Sequence, residues 1–247
     1  MRGSKNMHIR PSVADAAGEV GPEAYATWRG TPLGKITEDL EQQLVLRLAS
    51  ELKGRSVLDV GCGDGTLTVA CREAGASSIV GCDIDPRMIA TATARAARHK
   101  AAISYAVARA ECLPFRDRSF DVVTAITLLT FVPEADRAVC EMARVLKAGG
   151  SLVIGDLGKW SLWAASRRIR GWISSAIWRE ARFRTASELR ELVENAKLHV
   201  EHVSGAIYYP HFGLMAKLIA PADPLLGRLT TVGAAFLAVK AIKPVID

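Results

Sequence analysis

From about Arg55 to Asp156, short apolar runs alternate with stretches in which apolar positions recur every three to four residues. Period-two strands joined by helices of period 3.6 make βαβ units, so this stretch predicts a mostly parallel α/β sheet. SVLDV, SIVGCD, ISYAV, FDVVTAI and SLVIGD read as its strands. Thr66 to Ala74, Pro86 to Arg98 and Glu134 to Leu146 read as its helices, the second opening with Asp85 as N-cap and Pro86 at the first helical position. Lys147-Ala148-Gly149-Gly150, basic and then glycine-rich, reads as the close of the third. Before the sheet, Glu38 to Leu52 predicts a helix preceded by a Thr31-Pro32-Leu33-Gly34 turn.

After Asp156 the pattern changes. Leu162, Ala165, Ile169, Trp172, Ile173, Ala176 and Ile177 recur at helical spacing, with Arg167, Arg168, Arg170 and Arg179 largely off that stripe. This predicts an amphipathic helix weakened at Gly171. Thr185 to Ala196 reads as another helix, and His199 to Tyr209 and Ala234 to Ile242 as two late strands. At 247 residues the chain suits one large α/β domain. Its expected parts are a helical cap over 1–54, a core over 55–157, amphipathic lid helices over 158–198, and C-terminal strands with a substrate-side insertion over 199–247.

Composition narrows the class. The 49% hydrophobic and 23% charged residues are ordinary globular usage and argue against disorder. The longest apolar run, Leu229 to Val239, is broken by Thr230, Thr231 and Gly233, well short of the roughly 18 to 20 apolar residues that cross a bilayer. MRGSKNMHIRPS lacks the apolar centre of a secretory leader, which points to the cytoplasm. Cys62, Cys71, Cys82, Cys112 and Cys140 form no CxxC pair and no even disulfide set; they suit reduced core or loop positions. Cys62, Cys82 and Cys112 fall in loops expected around one pocket, so a thiol site for a metalloid is a rival reading. Of the net charge of +6, the segment Lys159 to Arg184 supplies seven bases against Glu180 alone, a net of +6 by itself. Charge this local argues for a local task and against a general nucleic-acid surface.

The chemistry centres on Val57-Leu58-Asp59-Val60-Gly61-Cys62-Gly63-Asp64-Gly65, a strand running into a glycine loop and then a helix. Glycine lets the backbone turn sharply and approach a ligand where a Cβ would collide. In open α/β sheets that place is the crevice at the carboxyl ends of the strands. The spacing is GxGxG, a poor match to the dinucleotide GxGxxG. Asp59 beside the turn would repel a pyrophosphate and suits the cationic amino-acid end of S-adenosylmethionine (SAM). About twenty residues on, Asp83 in Gly81-Cys82-Asp83-Ile84-Asp85 is placed to accept hydrogen bonds from both ribose hydroxyls. Asp83 and Asp85 also suit plain helix capping, and Asp85 is read as a cap.

The stretch from Val57 to Leu157 resembles the class I SAM-dependent methyltransferases of the ubiquinone/menaquinone-biosynthesis, or methyltransferase type 11, family. VLDVGCGDG, GCDIDPRMI, AECLPFRDRSFDVV and ARVLKAGGSLVIGD carry the resemblance; Tyr25, Trp28, Pro32-Leu33-Gly34, Glu41 and AAFLAVKAIKP extend it loosely. It implies a Rossmann-like sheet of seven strands, the last antiparallel, helices on both faces, and SAM across the ends of the first, second and fourth strands. Gly61, Cys62, Gly63 and Gly65 would line the methionyl part, and Asp59 would hold its ammonium. Asp83 would take the ribose, Ile84 and Met88 would pack on adenine, and Ala110 with Glu111 would face its edge. Ala125 and Thr127 would border the methionine. Arg109 stands where the family often has Asp. Tyr25 and Trp28 would close over SAM, with core packing the rival for Trp28.

Methyl transfer from a sulfonium is an in-line displacement that needs mainly a nucleophile held on axis, so a base is optional. Tyr208, Tyr209 and His211 in IYYPHFG are the candidates for one, against aromatic packing at a strand end. His199 and His202 read as structural. The tryptophan- and arginine-rich segment 160–184 suits a lid over a small hydrophobic acceptor, a membrane-surface contact, or an ordinary helix buried on one face. Expected are a SAM-dependent transferase releasing S-adenosylhomocysteine, no resident metal and no nucleic-acid partner. A SAM-binding module without activity, or a metalloid-directed enzyme, is the alternative.

Overall fold

A computed structural model describes residues 22–211 and 213–245, leaving the side chains at 22, 24 and 25 undescribed. The predicted βαβ stretch forms β1 (Ser56–Val60), α3 (Thr66–Glu73), β2 (Ser78–Asp83), α4 (Pro86–Arg98), β3 (Ser104–Val107), β4 (Phe120–Ile126), α5 (Ala135–Val145) and β5 (Leu146–Leu157). Two helices precede it, α1 (Pro22–Arg29) and α2 (Pro32–Ala49). After it come α6 (Leu162–Ile173), α7 (Ala176–Glu180), α8 (Ala186–Asn195), β6 (His199–Ala206), α9 (Gly213–Ile219), α10 (Asp223–Leu229) and β7 (Phe236–Ile242). The seven strands lie in the order β3-β2-β1-β4-β5-β7-β6, parallel except β7, which runs against both neighbours.

Strands buried on both faces read as near-continuous apolar runs, and that is why β1, β4 and β5 were legible. On one face Leu58, Val60, Val123 and Ile154 pack against Val139 and Met142 of α5 and Leu189 and Val193 of α8. On the other, Val57, Val122 and Val153 pack against Leu44, Val45 and Leu48 of α2. The reversal from β2 to β4 on either side of β1 opens the crevice in which the site lies.

Several expected boundaries are corrected. Thr31-Pro32-Leu33-Gly34 is not a turn before a helix at Glu38. The Thr31 side chain accepts from the Gly34 N–H as an N-cap, and Pro32 opens α2 directly. Lys147–Gly150 does not close α5. Leu146 is already extended, and the segment runs into β5 while Lys147 reaches Asp121 of β4 at 3.0 Å. The amphipathic run 162–177 is two helices, broken at Ser174, with Ser175 capping α7 through the Trp178 N–H. Gly171 is not the break; a Cβ there would lie 2.8 Å from the backbone of Trp178 and Arg179, so its bareness lets α7 fold back on α6. The late strands are shorter than expected, and the helices α9 and α10 between them went unread.

Candidate functional site

A cavity of about 610 Å3 opens where β1, β2 and β4 end, within the range that encloses drug-sized ligands. Its floor is the loop after β1. Gly61, Gly63 and Gly65 all have positive φ, and a Cβ on Gly65 would collide with the Tyr105 hydroxyl and Ala92. The N–H groups of Gly61 and Cys62 both donate to the Cys82 carbonyl, which fixes the loop to the end of β2. A Cβ on Gly63 would meet nothing within 4 Å; that residue faces open space.

Asp59 is buried at 2% exposure, and its two carboxylate oxygens accept from Thr68 and Thr124, each at 2.8 Å. Burial outweighs those bonds and pushes its pKa up to about 6. Asp83 accepts from the Gly63 N–H at 3.0 Å and the Asp85 N–H at 2.9 Å; burial raises its pKa as well. Asp85 is the cap of α4, accepting from Arg87. One buried and one half-buried carboxylate on a concave, largely apolar wall form a pocket for a ligand carrying positive charge and hydroxyls, since each oxygen keeps a lone pair for a further donor.

Of the expected donor-site residues, Asp59, Gly61, Cys62, Gly63, Asp83, Ile84, Met88 and Thr127 line this cavity. Gly65 caps α3 just behind it, and Ala125 is wholly buried in β4 beneath Thr127. Ala110 and Glu111 line a smaller adjoining cavity of about 100 Å3 that shares Gly61, Asp83, Ile84, Leu128 and Phe131 with the first. Arg109 turns its guanidinium onto Glu111 at 3.1 Å. Trp28 packs half-buried against the α2 side of the core, while the Tyr25 side chain lies outside the described residues, as does the N-terminal stretch MRGSKNMHIRPS.

Tyr208, Tyr209 and His211 are not among the residues lining either cavity. The Tyr208 hydroxyl donates to the Thr230 carbonyl, and the buried Tyr209 hydroxyl pairs with Thr37 at 3.0 Å. Trp163 Nε1 donates to the Tyr209 carbonyl at 2.7 Å, and the His211 ring stacks 3.7 Å from Trp163. His202 meets Ser204 at 2.7 Å on β6. Cys62 and Cys82 are buried and their thiols raised by desolvation, Cys82 to about 12, while Cys112 is exposed. Among the described residues no group of three or more His, Cys, Asp or Glu side chains is placed to hold a metal.

The sequence reading missed the wall of the cavity that α2 and α7 supply. Glu38, Glu41, Gln42 and Val45 of α2, Phe131 after β4 and Ile177 of α7 all line the cavity. It also missed the clamp over the glycine loop. Arg29 at the end of α1 bridges Glu38, Asp64 and Thr66, and Arg95 of α4 reaches Asp64 at 2.5 Å. The arginine-rich segment is largely engaged. Arg167 lies over the rings of Trp163 and Trp178, Arg168 over Phe183, Arg184 pairs with buried Asp156 at 3.0 Å, and Lys159 pairs with Glu188 at 2.7 Å.

Residues 58–154 match a family model described as a methyltransferase domain. The ubiquinone biosynthesis O-methyltransferase of Idiomarina loihiensis is 32% identical over 170 residues, covering 66% of this chain and 70% of that protein. The chain belongs to the type 11 SAM-dependent methyltransferases. The methyltransferase GfsG of Streptomyces halstedii is 34% identical over 128 residues, 51% of this chain and 46% of that one. In fold the methyltransferase is similar to a SAM-dependent methyltransferase from Thermotoga maritima, with 21% identity, coverage of 91% and 97%, and a TM-score of 0.67. It is also similar to phosphoethanolamine N-methyltransferase 2 of Haemonchus contortus solved with SAM, with 18% identity, coverage of 92% and 58%, and a TM-score of 0.69. The methyl donor is therefore SAM, and the open face of Gly63 with the carboxylates of Asp59 and Asp83 around it fits that ligand's backbone-hugging and cationic parts. When bound, SAM supplies an electrophilic methyl group on a sulfonium. No described helix is long and apolar enough to cross a membrane.

Proposed function

We propose that this methyltransferase acts in the cytoplasm, as one domain, on a small, hydrophobic acceptor, and that residues 158–198 serve as its lid. The carrying observation is the character of the cavity wall. Away from the acids at the ends of β1 and β2, Val45, Leu67, Ile126, Leu128, Phe131 and Ile177 make most of the lining, with Glu38, Glu41, Gln42, Thr66 and Thr127 as its polar members. Such a wall stabilises apolar surface by removing it from water and offers few partners to a highly polar acceptor.

Asp59 would hold the donor's ammonium, Asp83 its ribose hydroxyls, and Ile84 with Met88 its adenine face. The glycine loop and Thr127 would border the methionyl chain, with Ala110 and Glu111 at the adenine edge. Catalysis then consists mainly of fixing the acceptor on the line of the methyl–sulfur bond and excluding water. The outer face of the lid supports an apolar acceptor drawn from a membrane surface. Leu162, Ile169, Trp172 and Ile173 are exposed there, Trp172 at 82%, beside Arg170.

Calorimetric titration with SAM, S-adenosylhomocysteine and NAD tests the donor site. SAM and its product bind, NAD does not, and Asp83→Ala loses the binding. NAD binding, or undiminished SAM binding in the variant, overturns the assignment. An acceptor screen beginning with apolar small molecules then tests the remainder, and methylation of polar acceptors alone would refute it.

A further inference from the structure

The insertion between β6 and β7 takes no part in the cavity. No described residue from 213 to 232 lines it or the smaller hollow beside it. Its inner side is nonetheless firmly built. Ala216 is buried against the α2 side of the core, and Gly227 lies so close to β6 that a Cβ there would collide with the Gly205 carbonyl. Asp223 at the start of α10 is buried and accepts from the Ile207 and Tyr208 N–H groups at 2.9 Å each, while the Tyr208 hydroxyl donates to the Thr230 carbonyl. What this scaffold holds outward is apolar. Leu214 and Leu218, one turn apart on α9, Leu225 and Leu229, one turn apart on α10, and Val232 after them are each at least 61% exposed.

Charge identifies what covers this face. Asp223 is the only acid between Glu201 and the terminal Asp247, and it is buried, so the exposed charges of α9 and α10 are those of Lys217 and Arg228. An apolar face edged only by cations has no anion to offer a second copy of itself, and an isologous contact would set like charges against one another. It fits a surface that is apolar within and negative at its boundary, as a bilayer containing anionic lipid is. We propose that α9 and α10 form a membrane-docking platform, its leucines entering the boundary between headgroups and acyl chains and Lys217 with Arg228 meeting lipid phosphates. The His211 ring, its centroid 3.7 Å from that of Trp163, joins the approach to α9 to α6, so the platform stands beside the exposed Ile169, Trp172 and Ile173 of that helix. Two such faces on neighbouring elements engage one bilayer together, and each raises the effective concentration of the other at the surface.

The test is sedimentation of the full chain with vesicles of phosphatidylcholine alone or of equimolar phosphatidylcholine and phosphatidylglycerol. Wild type is expected to partition onto the mixed vesicles at least about tenfold more strongly than onto the neutral ones, and less so as salt rises. Leu218→Ser combined with Leu225→Ser lowers that partition by more than about tenfold, and Lys217→Glu combined with Arg228→Glu removes the preference for phosphatidylglycerol. Both variants keep the melting temperature and the affinity for S-adenosylhomocysteine, because neither pair touches the cavity or the inner side of the insertion. With α6 and α7 unaltered, the loss belongs to α9 and α10. Wild-type sedimentation that is equal for the two lipids, or absent, overturns the proposal, as does undiminished sedimentation of the leucine variant. A dimer in analytical ultracentrifugation that the leucine variant dissolves would assign the face to a second copy and overturn it too. Product binding is read separately by calorimetry, so each of these results leaves the donor-site assignment standing.

Discussion

Asp59 ties the protein's stability and its affinity for the donor to pH in opposite senses. Its folded-state pKa of about 6 lies above the ordinary carboxyl value of 3.8, because burial costs the carboxylate more than the Thr68 and Thr124 hydroxyls return. The contribution is therefore most favourable below the unfolded pKa and is lost as pH rises through 6. At neutral pH the ionised group costs about 3 kcal/mol, from roughly 1.36 kcal/mol per pK unit. A ligand cation seated beside Asp59 needs that same ionised form. Its α-amino group stays protonated between pH 5 and 7, so the change over this range falls on the protein. If only ionised Asp59 binds, SAM affinity is weaker by about tenfold at pH 5 and about twofold at pH 6 than at pH 7, with nearly one proton released per SAM bound at pH 5. Asp59→Asn, which keeps partners for both threonines, is expected to melt higher than wild type at pH 7.5 while binding SAM weakly and without pH dependence. Calorimetry in buffers of different ionisation enthalpy, paired with thermal denaturation, reads both signs. A wild-type affinity that is flat from pH 5 to 7, or an Asn variant that binds SAM normally, refutes the role given to Asp59.

Two further outcomes concern residues 158–198. Arg184 is the ionic partner of Asp156, a carboxylate 1% exposed on β5 that also accepts from Thr130; Arg184→Met strands that charge and should cost about 3–5 kcal/mol in urea denaturation. A loss under 1 kcal/mol would show that Asp156 is carried protonated. Trp172→Ser combined with Ile173→Ser removes two exposed apolar groups, each contributing about 1.5–3 kcal/mol if buried in an interface, so partition onto phosphatidylglycerol vesicles in a sedimentation assay should fall by more than about tenfold. Equal sedimentation of variant and wild type would leave the outer face of the lid without a membrane role.

The side of the cavity formed at the ends of β1 and β2 was legible because its determinants are local. Asp59, Gly61, Gly63, Asp83, Ile84 and Met88 lie within thirty residues, in two successive strand-to-helix turns whose geometry a parallel sheet dictates. The missed features are of two kinds. Some had a signal that was misread: Thr31-Pro32 is an N-cap followed by proline at the first helical position, and Lys147–Gly150 was taken for a helix end although a bare Gly150 lets β5 approach the Asp121 carbonyl. Others had none. Thr68 and Thr124 sit 9 and 65 residues from the aspartate they cap, and nothing in the spacing of Glu41, Phe131 and Ile177 brings them to one wall. Those contacts arise only when α2 and the lid pack onto the sheet.

That division has a physical consequence for the basic segment. Seven positive side chains within 26 residues argue, in sequence, for a lid, a membrane-surface contact or an ordinary helix buried on one face. Folded, Lys159 and Arg184 are held by Glu188 and Asp156, Arg179 and Arg182 donate to the Gly171 and Pro133 carbonyls, and Arg167 and Arg168 lie on aromatic rings. Guanidinium groups can do this because a planar fork satisfies carbonyls and stacks on rings at once, where a lysine would satisfy a single point. The charge thus fastens residues 159–184 to α8, to β5 and to the loop after β4. On the proposed reading, changes confined to α7 and the cavity face of α2 alter which acceptor is held without touching the turns after β1 and β2.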